Sequence, residues 1–179
     1  MAGQVDSFNA RGCVAGVLSG WTSIAFASNR SGGFEIYVCG GDGSNPVQLT
    51  SMKAPDTGTP AWSPDGKQIV FDSRLEGHSD IFVINAVINA EGGSPHRLTT
   101  EPYDNELPNW SRDGHWIYFT SERSGGNQIL KVQAEGGRAA VEYSLTQPGK
   151  TIIAPLRGMC RGAGRFRVKV SAGVHLQQI

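Results

Sequence analysis

The sequence predicts an all-β fold: an incomplete β-propeller of about three four-stranded antiparallel blades with a degenerate fourth. Three observations carry this prediction. The stretch "AWSPDGKQIVFDSR" (61–74) returns as "NWSRDGHWIYFTSER" (109–123), so the chain is written in repeats. Apolar residues within a unit alternate with period two, and no helical period is present. Glycine is frequent, 24 of 179 residues, and collects between the alternating runs, where short strands need tight turns.

The repeat extends beyond those two copies. "IAFASNRSGGFEIYV" (24–38), "IVFDSRLEGHSDIFV" (69–83) and "IYFTSERSGGNQILKV" (117–132) align. A glycine turn follows each, and then Leu49-Thr50, Leu98-Thr99 or Leu145-Thr146. Arg30 and Arg74 stand 44 residues apart, Trp62 and Trp110 48. The difference of four equals one copy of the four-residue unit duplicated in "VINAVINA" at 83–90. An even insertion keeps strand alternation in phase and lengthens a hairpin.

Taken in order, residues 1–19 form an N-terminal segment in which "CVAGVLSGW" (13–21) begins a degenerate strand A. Blades follow at about 20–50, 57–99 and 106–146. In the middle unit, strand A surrounds Pro60–Ser63. "SPDG" then turns the chain: Pro64 fixes φ, Asp65 caps the turn and Gly66 takes positive φ. Strand B is Gln68–Ser73, "RLEGHSD" is a hairpin loop, strand C is Asp80–Ile84 and strand D ends at Leu98. Trp62 and Trp110 are expected to fill the space between blades. Asp65, Gly66, Asp113 and Gly114 are expected to be structural turn residues. Residues 147–179 form a basic tail; "GKTIIAPLRG" (149–158) and "RFRVKV" (165–170) read as a truncated fourth blade.

The pattern P-x-W-S-x-D-G-x-x-I-x-F-x-S, then "DIFV", a glycine turn and "RLT", resembles the TolB-type WD-like β-propeller repeat of bacteria. The same repeat builds the propellers of dipeptidyl-peptidase-like and prolyl-oligopeptidase-like enzymes. The resemblance covers about residues 20–146. It implies a periplasmic scaffold that docks protein partners within envelope-spanning complexes. Closed propellers need about four to eight blades. An open array would show unpaired strand edges and a wet apolar blade face, so self-association that completes or covers the propeller is expected.

Lys+Arg and Asp+Glu balance at 16 each, which argues against a dedicated nucleic-acid binder. The charges are segregated, however. After Glu142 there is no acid, and Lys150, Arg157, Arg161, Arg165, Arg167 and Lys169 give that tail +6 against −6 elsewhere. The tail is either a solvated end or a surface for an acidic partner. No membrane span is expected, because no run of 18 apolar residues exists. Cys13, Cys39 and Cys160 form no C-x-x-C pair, so neither a disulfide framework nor a zinc site is expected.

Candidate binding residues lie in the B-to-C and D-to-A loops, which a propeller gathers on one face. Arg30, Arg74 and Arg123 occupy matching places by sequence spacing, with Asp56, Asp104, Glu106 and His78 nearby. Such arginines grip carboxylates of a ligand or partner. Their recurrence at the repeat period equally suits pairing with an acid of the neighbouring blade. Asp104-Asn105-Glu106 offers oxygens to Ca²⁺, but the spacing matches no calcium loop, so no cofactor and no metal are expected. No G-x-S-x-G elbow and no phosphate loop occur. The expected function is a non-catalytic module for protein–protein interaction. The alternatives are a propeller piece of a peptidase-like or acidic-sugar lyase-like enzyme, or a ligand-binding propeller.

Overall fold

The computed structural model of the protein describes residues 23–86, 93–123 and 126–144. The degenerate first strand A, the tail at 147–179, Leu145-Thr146 and residues 87–90 of the tandem insertion lie outside the described residues. Among those described there is no helix, and none is therefore long and apolar enough to cross a membrane.

Among the described residues eleven strands form three antiparallel sheets. The first blade holds β1 (Ser23–Ser28), β2 (Glu35–Gly40) and β3 (Val47–Gln48), side by side in that order. The second holds β4 (Thr57–Trp62), β5 (Gln68–Ser73), β6 (Asp80–Asn85) and β7 (His96–Arg97). The third holds β8 (Asn105–Trp110), β9 (Trp116–Ser121), β10 (Gln128–Gln133) and β11 (Ala140–Ser144). The blades are meanders, each strand paired with its sequence neighbour, so local contacts build every sheet.

Strand A differs from the expectation. It begins at Thr57 and Asn105, ahead of the proline, and carries a bulge. Pairing jumps from Gly58↔Asp72 to Ala61↔Val70, and from Glu106↔Thr120 to Asn109↔Tyr118. Two residues therefore oppose one in each blade. The cause is the proline, which has no N–H to give the ladder. The residue before it takes left-handed backbone: φ is +44° at Thr59 and +54° at Leu107. Strand D is two residues long in the first and second blades, and in the second it ends at Arg97, one residue before the expected Leu98.

The strand period places the cores. On β5 and β6, Ile69, Phe71, Phe82 and Ile84 pack toward the first blade, against Ala25, Ala27, Ile36, Val38 and Leu49. The intervening Val70, Ile81 and Val83 join Leu98 and pack toward the third, against Trp110, Ile117, Phe119, Leu130 and Val132. Both faces of the middle blade are thus dry. Each of these large side chains contributes about 1.5–3 kcal/mol by leaving water. Trp62 packs against the first core and Trp110 lies in the second.

The two W-S-x-D-G turns are wired alike. Ser63 Oγ accepts the Gln68 N–H at 2.9 Å and donates to Asp65 Oδ1 at 2.7 Å, which also accepts the Lys67 N–H at 3.1 Å. Ser111 and Asp113 repeat these bonds with the Trp116 and His115 amides at 2.9 and 3.0 Å. Gly66 and Gly114 close the turns at φ +66° and +76°.

Candidate functional site

The site is built where the 74–79 hairpin loop of the second blade meets the connection into β8. Paired strand ends frame each B-to-C loop: Ser28↔Glu35, Ser73↔Asp80 and Ser121↔Gln128. Arg30 and Arg123 stand two residues beyond their serines, and Arg74 one. The 44-residue spacing that aligns Arg30 with Arg74 is one short of the 45 separating Ser28 from Ser73. Register, not spacing, decides equivalence, so Arg74 differs from the other two.

Their surroundings differ accordingly. Arg74 Nη2 lies 2.9 Å from Asp104 Oδ1 and 3.4 Å from Glu106 Oε1, and its Nη1 donates to the Gly77 carbonyl at 2.8 Å. This joins the second blade to the third. Arg30 Nε donates to Ser28 Oγ at 3.1 Å, and its guanidinium stacks over Phe26 and Tyr37 at 5.2 and 4.8 Å, within one blade. Arg123 lies 3.8 Å from Glu101 and over the Tyr103 ring at 5.6 Å. The three arginines thus have different neighbours: an aromatic pair for Arg30, two carboxylates for Arg74, and Glu101 with Tyr103 for Arg123.

Of the acids, Asp104 and Glu106 meet Arg74. Asp56 meets it through the backbone: its carbonyl accepts the Arg74 N–H at 2.9 Å. The Ser79 N–H bonds Asp104 Oδ1 at 2.8 Å and, with Arg74, holds the Asp104 carboxyl below its ordinary range. His78 Nε2 is 3.3 Å from Asp80 Oδ2, which Arg97 also contacts. Among the described residues no group of three or more His, Cys, Asp or Glu is arranged to hold a metal ion.

Two sets of residues escaped the sequence reading. The first explains the recurrent Leu-Thr. Thr50 Oγ1 donates to Glu35 Oε2 at 2.6 Å and accepts the Ile36 N–H at 2.9 Å. Thr99 does the same with Asp80 Oδ1 at 2.7 Å and the Ile81 N–H at 3.0 Å. The threonine thus pins strand D to strand C through a buried acid. The signal was the acid or amide before each strand-C isoleucine: Glu35, Asp80, Gln128. The second is Asp72, a buried carboxyl inside apolar β5 that accepts the Leu107 N–H at 3.2 Å. Burial pushes it up to about 6, and the Glu106 charge adds to the push. Its signal was an acid where the other units have Ala27 and Thr120.

Three comparisons bear on this arrangement. Residues 55–155 match the family model described as "TolB beta propeller domain". "Protein TolB homolog" of Chlorobaculum tepidum is 40% identical over 70 residues, 39% of this chain and 16% of that protein. "Tol-Pal system protein TolB" of Desulfosudis oleivorans is 36% identical over 66 residues, 37% of this chain and 15% of that protein. The match thus spans less than a fifth of either relative. In fold, the crystal structure of TolB from Acinetobacter baumannii superposes with a TM-score of 0.62 at 24% identity, covering 79% of this chain and 33% of that one.

Proposed function

The chain belongs to the TolB beta propeller domain family, and from that membership we propose that it is a non-catalytic repeat module that docks a protein partner on its loop face. One observation supports this reading above others. Exposed Leu75, Tyr103 and Leu107 each sit next in sequence to a member of the Arg74–Asp104–Glu106 cluster. Apolar side chains around an ordered arginine make a surface that another protein can dry. His78 rests against buried Asp80, and Arg74 is engaged by two carboxylates, which suits cohesion better than turnover.

Self-association is the second part of the proposal. The described blades are three, fewer than a closed ring requires. Further blades from a second copy complete or cover the array.

The test is capture from an envelope extract of a bacterium that carries a Tol-Pal system, with wild type against a Tyr103→Ser, Leu107→Ser double variant. Capture of a specific protein should drop at least tenfold in the variant. Equal capture by both overturns the docking surface. Wild-type turnover of an oligopeptide or a uronate oligomer, lost in His78→Ala, overturns the non-catalytic reading. A monomer by light scattering overturns self-association.

A further inference from the structure

Three acidic side chains are buried among the described strands, Glu35, Asp72 and Asp80. Two are compensated. Glu35 accepts from the Thr50 hydroxyl and from the Met52 and Lys53 amides at 2.6, 2.9 and 3.0 Å. Asp80 holds Thr99, Arg97 and His78. Asp72 has a smaller set, the Thr59 hydroxyl and one amide, and no cation. Its Oδ2 takes one amide, that of Leu107, from across the seam between the second and third blades.

The groups around Asp72 sharpen the contrast. From β4 it meets Gly58 and the Thr59 hydroxyl. From β6 its pairing partner is Ile81. From β8 the charged neighbour is Glu106, a like charge. Arg74, two residues along, is spent on Asp104 and Glu106, while His78 and Arg97 are turned to Asp80. Among the described residues no ion pair reaches Asp72. The repeat supplies its own control here. Ala27 and Thr120 hold this place in the other blades, so the fold can be built without a carboxyl there.

We propose that buried, unpaired Asp72 is a proton-operated latch on the seam between the second and third blades, which is looser when Asp72 is ionised and tighter when it is protonated. The reason is the cost of a charge in a dry seam beside a second carboxylate. Burial without an ion pair is the larger effect and the Glu106 charge adds to it, although the Thr59 hydroxyl and the Leu107 N–H each bond an ionised carboxyl more strongly than a neutral one. The neutral carboxyl still keeps a carbonyl oxygen for the Leu107 N–H. The sign follows from linkage. A carboxyl that loses its proton near 6 in the fold and near 3.8 when unfolded makes the folded chain hold an extra proton between those values. Stability therefore rises as pH falls from above 6 toward about 4, opposite to the usual carboxylate. This device is independent of the docking reading.

Urea denaturation of the full chain at pH 7.5 and 5.0, for wild type and Asp72→Asn, tests it. The carboxamide mimics the protonated state. The wild-type midpoint should rise at pH 5.0. The variant should already be more stable than wild type at pH 7.5 and gain less on acidification. The difference between the two proteins removes the shared contribution of the histidines. Should the variant fail to fold, the wild-type Leu107 amide shift still reports, with an inflection near pH 6. An inflection near pH 4, or a gain between pH 7.5 and 5.0 that is no larger in wild type than in the variant, overturns the latch.

Discussion

Trp110 donates its indole Nε1–H to the Ala61 carbonyl at 3.1 Å, tying strand A of the third blade to strand A of the second. The same side chain is buried in the core between those blades. Bond and packing can be separated. Trp110→Phe keeps most of the apolar area and loses the bond, an expected loss of about 1 kcal/mol. Trp110→Ala also opens a cavity and should lose about 3–5 kcal/mol. Urea midpoints measure both, and equal losses would assign the whole effect to one cause.

The threonine pins should be equivalent between blades. Thr50→Val and Thr99→Val each remove a hydroxyl that donates to a buried carboxylate and accepts a backbone amide. Each is expected to lose about 1–3 kcal/mol, because Glu35 or Asp80 is left short of a partner. Amide exchange should show strand D of the altered blade opening first.

Gly114→Ala places a Cβ on backbone at φ +76° and should lose about 1 kcal/mol. Gly33→Ala is the control: its Cβ would meet only the Ala54 carbonyl at 3.9 Å, and it is expected to be near neutral by thermal unfolding. A loss as large at Gly33 would remove the backbone explanation.

The Arg74–Asp104 pair is half exposed, so its worth is small, at most about 1 kcal/mol, and salt should screen it. Asp104 carries a depressed pKa, from the Ser79 amide first and Arg74 second. Its contribution is complete above the ordinary carboxylate range and is lost as pH falls through the folded value. Asp104→Asn should flatten that acid limb and reduce the salt dependence of the midpoint. An unchanged limb would show that the pair does not act.

Much of the fold was legible, and one set of residues shows why. Ile69, Phe71 and Val70 alternate along β5 as period two requires, and the W-S-x-D-G turns carry residues whose local hydrogen bonds decide their shape. The bulge was not legible, since a proline reads as a strand boundary until the register on either side is seen. The site was less legible still. Arg30, Arg74 and Arg123 look equivalent by spacing, but Arg74 is offset by one residue and meets a cross-blade carboxylate pair, while Arg30 stacks on an aromatic pair and Arg123 on a tyrosine. Asp72 could have been suspected only by asking where one copy departs from the others.

Each seam joins the same two kinds of surface. Residues in step with Ile69 and Phe71 meet residues in step with Ala25 and Ala27, and the third blade presents Ile117 and Phe119 to the second in the same way. A gene could therefore acquire another module by in-frame copying, and the newcomer would find a matching neighbour without redesign of existing joints. A substitution peculiar to one module, such as an aspartate where the others hold alanine and threonine, leaves that shared joint intact.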